Sequence, residues 1–135
     1  MPRGFGKPCK TDSFKEYMEY YIQRKNWSQS KLAVVARLNQ SQVNKIINGT
    51  VYNVQIDILV CLCLALQLNL EESKDLMSRT ERAFSPASEL HCAYQKIIQK
   101  YAEKTFNCLE NIEFLDAADE FLRARKLPLL PNNYR

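Results

Sequence analysis

Residues 39–48 read N-Q-S-Q-V-N-K-I-I-N, which places five carboxamides, one hydroxyl and one ammonium in ten positions, with no carboxylate among them. A carboxamide donates and accepts hydrogen bonds side by side, and an ammonium only donates. That chemistry is recognition, not bond breaking. The groups that break bonds or hold metals are sparse elsewhere. His91 is the single histidine, so a His-rich metal site cannot form. The five cysteines are Cys9, Cys61, Cys63, Cys92 and Cys108, none of them in a C-x-x-C pair. They read as reduced structural thiols. Cys61 and Cys63 are two apart, which on a helix sends them to different faces. Of three glycines, only Gly4 and Gly6 form a Gly-x-Gly pair, and no strand precedes them. A loop that cradles phosphate with backbone N–H groups is therefore not expected. Glu110, Glu113, Asp116, Asp119 and Glu120 are spread along one segment and read as a solvated helix face, not a catalytic pair. No enzyme activity, metal or cofactor is expected.

The elements that must position the polar run belong to a chain of 135 residues and 15.7 kDa, the size of one ordinary domain. Such a chain buries roughly two-thirds of its unfolded surface and needs no disulfide to fold. The apolar run Ile58–Leu66 is about half the length of a membrane span, so no membrane association is expected. The start M-P-R-G-F-G-K-P-C-K lacks the apolar core of a secretory signal, which points to a cytoplasmic protein. The net charge of +4 is unevenly divided. Residues 1–53 carry nine Lys/Arg and three acids, residues 54–135 ten and twelve, and no acid stands between Glu19 and Asp57. A long acid-free stretch suits a surface that faces a polyanion.

Few glycines, capping signals and 3.6-residue periodicity predict helix throughout. Ser13-x-x-Glu16 is a capping box that opens a helix over 13–25, with Phe14, Met18, Tyr21 and Ile22 inward. Ser28 caps a short helix over 29–36 with Leu32, Ala33 and Ala36 inward. Asn39-x-x-Gln42 opens a helix over 40–48 with Val43 and Ile46 inward, and Asn48-Gly49 closes it. A fourth helix over 55–67 is apolar nearly all round and is therefore buried. Asn69-x-x-Glu72 opens a fifth over 70–83. Ser85-Pro86 is read as the cap of a sixth, whose stripe is Leu90, Tyr94, Ile97, Ile98 and Tyr101. A last helix over 107–126 carries Ile112, Leu115, Ala118, Phe121 and Leu122, with a break near Asn111. Residues 1–12 read as a mobile basic arm and 127–135 as a tail whose Leu127, Leu129 and Leu130 tuck against the body.

The segment from Ser28, S-Q-S-K-L-A-V-V-A-R-L-N-Q-S-Q-V-N-K-I-I-N-G, resembles the helix-turn-helix of the phage repressor/Cro family, also called the XRE family. The matching positions are the polar pair Ser28-Gln29, Leu32-Ala33, Leu38 in the turn, Val43 and Ile46, Asn48-Gly49, and Leu66 followed by Leu68-Asn69. The likeness covers residues 14–70. It implies an all-α chain: a five-helix repressor-like domain over 13–70, then about two amphipathic helices in an extension over 71–126. Arg37 departs from the family, which often has Gly there, and so does the neutral segment Thr50–Asn53. The resemblance implies that the second helix of the motif enters the major groove of double-stranded DNA. Gln40, Ser41, Gln42, Asn44 and Lys45 would then address base edges, the amides pairing with adenine and the lysine with guanine. It also implies phosphate contacts from Gln29 and Asn48, to which Ser28, Lys31 and Arg37 are added as neighbouring candidates. Arg3, Lys7 and Lys10 could enter a minor groove, and Trp27 is expected to pack the first two helices together.

The extension beyond residue 70 has two readings. Its stripes over 90–101 and 112–122 pair two chains, giving a homodimer on a palindromic operator, or they cover the buried helices of their own chain. They could also receive a protein partner. The overall expectation is a sequence-specific transcriptional regulator, a repressor encoded by a bacterium or phage. The alternatives are the antitoxin of a toxin pair, an interaction adaptor that has lost DNA binding, and a small-molecule sensor with His91, Cys92, Tyr94 and Tyr101 around a pocket.

Overall fold

The computed structural model describes residues 13–49, 54–102 and 111–132. The basic arm, Thr50–Asn53, Cys108, Glu110 and the stretch 107–110 of the last predicted helix lie outside the described residues. Among the described residues the chain is all-helical, with seven helices and no strand. They are α1 Phe14–Arg24, α2 Gln29–Val35, α3 Gln40–Ile47, α4 Ile56–Ala65, α5 Leu70–Ser78, α6 Glu89–Ala102 and α7 Asn111–Ala124.

The starts of α1, α2, α3, α5 and α6 follow from a polar side chain that takes an orphan N–H of the first turn, whereas Gln55 before α4 makes no such bond. Ser13 accepts from the Glu16 N–H and Glu16 returns a carboxylate to the Ser13 N–H. Asn69 and Glu72 repeat this reciprocal pair at α5. Such caps contribute about 1 kcal/mol each. The expected start of α6 needs correction. Ser85 and Pro86 precede a turn, and Ser88 is the residue whose hydroxyl accepts from the His91 N–H. Proline fits a first helical position but also fits a turn, and its type alone did not decide between them. α5 also stops earlier than expected, because the chain turns through Glu81, whose φ is +60°.

The ends explain the scarcity of glycine. Asn26, Arg37, Gln67 and Lys126 all adopt φ between +55° and +59° just after α1, α2, α4 and α7. In each case the next residue, Trp27, Leu38, Leu68 or Leu127, donates its N–H back to a carbonyl five residues earlier. This is the Schellman closure, in which a left-handed residue is followed by an apolar one that packs on the helix it has just left. Glycine adopts that conformation freely, whereas these side chains pay roughly 1 kcal/mol each. Only after α3 does a glycine hold the position: Gly49, at φ +76°.

α4 is the central helix. Leu59 to Ala65 are all buried, Cys61 and Cys63 included. The two thiols do leave different faces, but both faces are covered, because α2, α5, α6 and α7 all pack on α4. The stripe of α6 is Ala93, Tyr94, Ile97, Ile98 and Tyr101, and Leu115, Ala118 and Leu122 of α7 join it in the same core. Those side chains pack within the chain, as the second reading has it. Leu130 is buried as well, with Leu127 and Leu129 packed beside it. At the opposite side α1 is tied to α5, where Arg24 holds Glu72 through two nitrogens at 2.7 and 3.3 Å. Among the described residues no helix is long and apolar enough to cross a membrane.

Candidate nucleic-acid interface

α2 and α3 are joined by Ala36–Asn39 and pack on each other. Leu32, Ala33 and Val35 of α2 face Val43, Ile46 and Ile47 of α3 and Leu38 of the turn, all buried. Ala33 is small where the helices cross. Burying seven apolar side chains at this junction fixes the angle between the two helices, at about 1.5–3 kcal/mol for each of the larger ones. Asn39 then starts α3: its Oδ1 accepts from the Ser41 and Gln42 N–H groups at 2.8 and 3.4 Å. With the inward face fixed, the outward face is fixed too. Gln40, Ser41, Asn44, Lys45 and Asn48 are exposed, and Gln42 is half-buried beside them. The structure thus gathers the sequence-predicted base-reading residues on one exposed helix face.

Three of the amides are joined. Asn48 Nδ2 donates to Asn44 Oδ1 at 3.1 Å, and Asn44 Nδ2 donates to Gln29 Oε1 at 3.2 Å. This chain links the first residue of α2 to the end of α3. Ser28 is the N-cap of α2, its Oγ accepting from the Lys31 N–H at 3.2 Å. Lys31 is exposed, with its Nζ 6.0 Å from the centre of the Trp27 ring. Lys25 approaches the same ring at 5.5 Å. Burial lowers the Lys25 ammonium to about 8, with the neighbouring Arg24 adding to the effect. Trp27 itself packs on the core, as expected.

Arg37 requires a correction. The sequence puts a cation in the turn of the motif, where it was expected beside a phosphate. The structure buries it: Arg37 is 5% exposed and its Nη1 meets Asp119 Oδ2 at 2.9 Å and Asp116 Oδ1 at 3.0 Å. Its Nη2 reaches the Pro131 carbonyl at 3.5 Å. Asp119 also accepts from the Leu130 N–H at 2.9 Å, so it holds the C-terminal tail as well as the turn. Burying an arginine costs less when a carboxylate and a carbonyl replace its water, and here α7 and the tail supply both. Asp119 is correspondingly removed from the solvated acidic face to which its sequence position assigned it. One signal was available: Asp119 adjoins Ala118 in the inward stripe of Leu115, Ala118 and Leu122.

The proposed sensor residues are dispersed in role. Tyr94 and Tyr101 are buried in the core, Cys92 is exposed, and His91 stacks on Tyr94 and accepts from the Ser85 N–H at 2.8 Å. Burial also raises the phenol of Tyr94 to about 12. Among the described residues no group of three His, Cys, Asp or Glu could hold a metal ion.

Against this geometry, residues 18–80 match the family of the Cro/C1-type HTH DNA-binding domain, a span that begins inside α1 and ends just beyond α5. No curated protein and no solved structure matches the chain. In a helix-turn-helix the second helix lies in the major groove with its N-terminal residues at the base edges, and the first crosses the backbone. Residues 18–80 therefore form a Cro/C1-type helix-turn-helix DNA-binding domain, and further helices follow it.

Proposed function

We propose that the chain is a sequence-specific transcriptional repressor that inserts α3 into the major groove. One observation carries this reading: the outward face of α3 is built of amides, a hydroxyl and Lys45, without a single acid, on a helix whose other face is buried. Gln40 and Gln42 suit adenine N6/N7, Lys45 suits guanine O6/N7, and Ser41 suits either base. Gln29 and Asn48, with Ser28 and Lys31, address the flanking phosphates. In this reading residues 13–70 bind DNA and the extension over 71–126 completes their core. An adaptor that had abandoned DNA would tolerate carboxylates on the α3 face, and none is there.

α3 is eight residues long, so one copy reads only a few base pairs. A homodimer on a palindromic operator supplies the remaining information, through a surface other than the inward stripes of α6 and α7. The test is selection of bound duplexes from a random double-stranded DNA pool, followed by sequencing. The expected result is one enriched motif with two-fold symmetry. Failure to enrich any motif would remove the sequence-specific reading, and an asymmetric half-site alone would remove the dimer. Light scattering after size exclusion at tens of micromolar checks the same point, since a strict monomer there contradicts the dimer.

A further inference from the structure

We propose that Asn44 is a positioning residue that fixes the polarity of Gln29, the phosphate-binding amide at the start of α2, and that it does not itself read a base. The proposal rests on the DNA-binding reading above and deepens it. The chain Asn48 Nδ2 to Asn44 Oδ1, Asn44 Nδ2 to Gln29 Oε1 uses both ends of the Asn44 carboxamide. A base-reading asparagine needs those same two ends for adenine N7 and N6. Asn44 has committed one N–H and one lone pair of that amide inside the protein, so reading adenine would mean rebuilding the chain.

The direction of the chain gives it a purpose. A phosphate accepts hydrogen bonds and donates none. A glutamine beside it helps only when its nitrogen, not its oxygen, points outward. Because Gln29 Oε1 is held by Asn44, Gln29 must present Nε2 with both of its N–H groups. Asn48 gives one N–H to Asn44 and keeps the other. A free carboxamide would turn its oxygen outward in about half of its orientations and would lose rotamer freedom on binding; the chain removes both costs before DNA arrives. The Asn44–Asn48 spacing of four places the two amides on one face of α3, and the Gln29 contact carries the chain across to α2. The spacing between the two phosphate-binding positions is thereby set by the protein.

The test uses the full chain and the duplex enriched from random DNA. Asn44→Ala is made alone and with Gln29→Ala, and affinities are measured for the enriched site, for all its single-base variants and for unrelated duplex. Asn44 is exposed and alanine is the better helix former, so folding is not at risk; thermal unfolding checks this. The expected result is an affinity loss of about five- to tenfold, equal for every sequence, with the order of base preference unchanged. In the Gln29→Ala background Asn44→Ala should cost less than twofold, since the amide it orients is gone. Relaxed discrimination at one base pair of each half-site would make Asn44 a base reader and overturn the proposal. Unchanged affinity, or full additivity with Gln29→Ala, would overturn it too. A wild-type chain that binds no duplex would overturn the DNA reading itself, which is a different outcome from any of these.

Discussion

The outward face of α3 and the turn that precedes it differ sharply, although only a few residues separate them. On α3 the polar groups are exposed and mostly uncharged, and the Gln29–Asn44–Asn48 chain joins residues of the motif to one another. In the turn a single cation is buried, and its partners lie 79 to 94 residues away, in α7 and the tail. The first arrangement belongs to the helix-turn-helix alone. The second exists only because the C-terminal helices do. A motif of this type therefore contains two kinds of polar residue, those that face DNA and those that face the protein's own extension. Position within the motif fixes the backbone of both but the partner of neither.

Removing one member of the buried pair gives the largest expected effect and the sharpest way to break this comparison. Arg37→Ala and Asp119→Ala should each lower stability by about 3–5 kcal/mol, because the first leaves Asp119 buried without its cation and the second leaves Arg37 only the exposed Asp116 and a carbonyl. Urea unfolding followed by helical circular dichroism reads this out. The two substitutions remove opposite charges, so a phosphate-binding Arg37 and a structural Arg37 differ in outcome. If Arg37 met DNA, only Arg37→Ala would weaken binding and it would lower the salt slope by about one. If it holds α7, both variants unfold alike, and Arg37→Met with Asp119→Asn recovers part of the loss while still offering Leu130 an acceptor. A stable Arg37→Ala protein with weak DNA binding would collapse the distinction between the two regions.

The face of α3 comes next in size. Gln40→Ala with Lys45→Ala should abolish preference for the enriched site, at about 1–3 kcal/mol per lost base contact, while helicity and unfolding remain as in the parent chain. Gln29→Ala should weaken binding to every sequence alike. Loss of stability in the Gln40 and Lys45 variant would mean that this face packs against protein, and the comparison would fail from the other side.

The sequence was most legible where structure is local. The capping boxes at Ser13 and Asn69, the caps at Ser28 and Asn39 and the all-apolar α4 are decided by residues three or four apart, and their helices stand close to where periodicity put them. The exposed face of α3 was legible for the same reason, since naming Val43 and Ile46 as inward leaves only one way out. Arg37 was misread because its ion pair spans 82 residues. Asp119 adjoins Ala118 of the inward stripe, but its partners Arg37 and Leu130 are set by the tertiary fold, so its place beside the stripe hinted at burial without naming a partner. The amide chain was missed for a subtler reason. Gln29, Asn44 and Asn48 each suit a separate contact with DNA, and only the packing of α2 on α3 brings them within hydrogen-bond distance of one another.

Arg37 and Gly49 sharpen the comparison further, since both are left-handed and they sit at the two ends of the same unit. Arg37 pays for its conformation and is offset by the ion pair; Gly49 does not pay. Among the described residues a Cβ built on Gly49 would meet nothing within 4 Å, so Gly49→Ala isolates the backbone term. It should cost roughly 1 kcal/mol, with no change in base preference. A much larger loss would mean that the segment after α3 closes over Gly49.

The smallest effect is invisible at neutral pH. Burial raises the thiol of Cys63 from 9 to about 12. In the unfolded chain the same thiol ionises near its ordinary value, so between pH 9 and 12 the unfolded state releases a proton that the folded state keeps. Fewer protons on the unfolded state means that the contribution of this thiol to stability falls as pH rises through that window and is constant below it. Tyr94, raised from 10 to about 12 for the same reason, adds to the fall over its upper part. Urea titrations at pH 8, 9, 10 and 11 should show Cys63→Ala declining less than the parent chain between 9 and 10; Cys61, also raised by burial, keeps its share of the fall, and Lys25, lowered to about 8, acts in the opposite sense in both chains. Cys61 tests the junction itself. Its Sγ lies 3.9 Å from the Pro131 carbonyl that also receives Arg37. In the parent chain at pH 8 iodoacetamide should modify the exposed Cys92 long before Cys61 or Cys63, as mapped by peptide mass spectrometry. In Arg37→Ala, Cys61 should become the faster of the two buried thiols, because the tail that covers it has lost its anchor. Equal protection of Cys61 in that variant would show that Leu130 alone holds the tail, and that the buried charge contributes nothing to closing this side of the core.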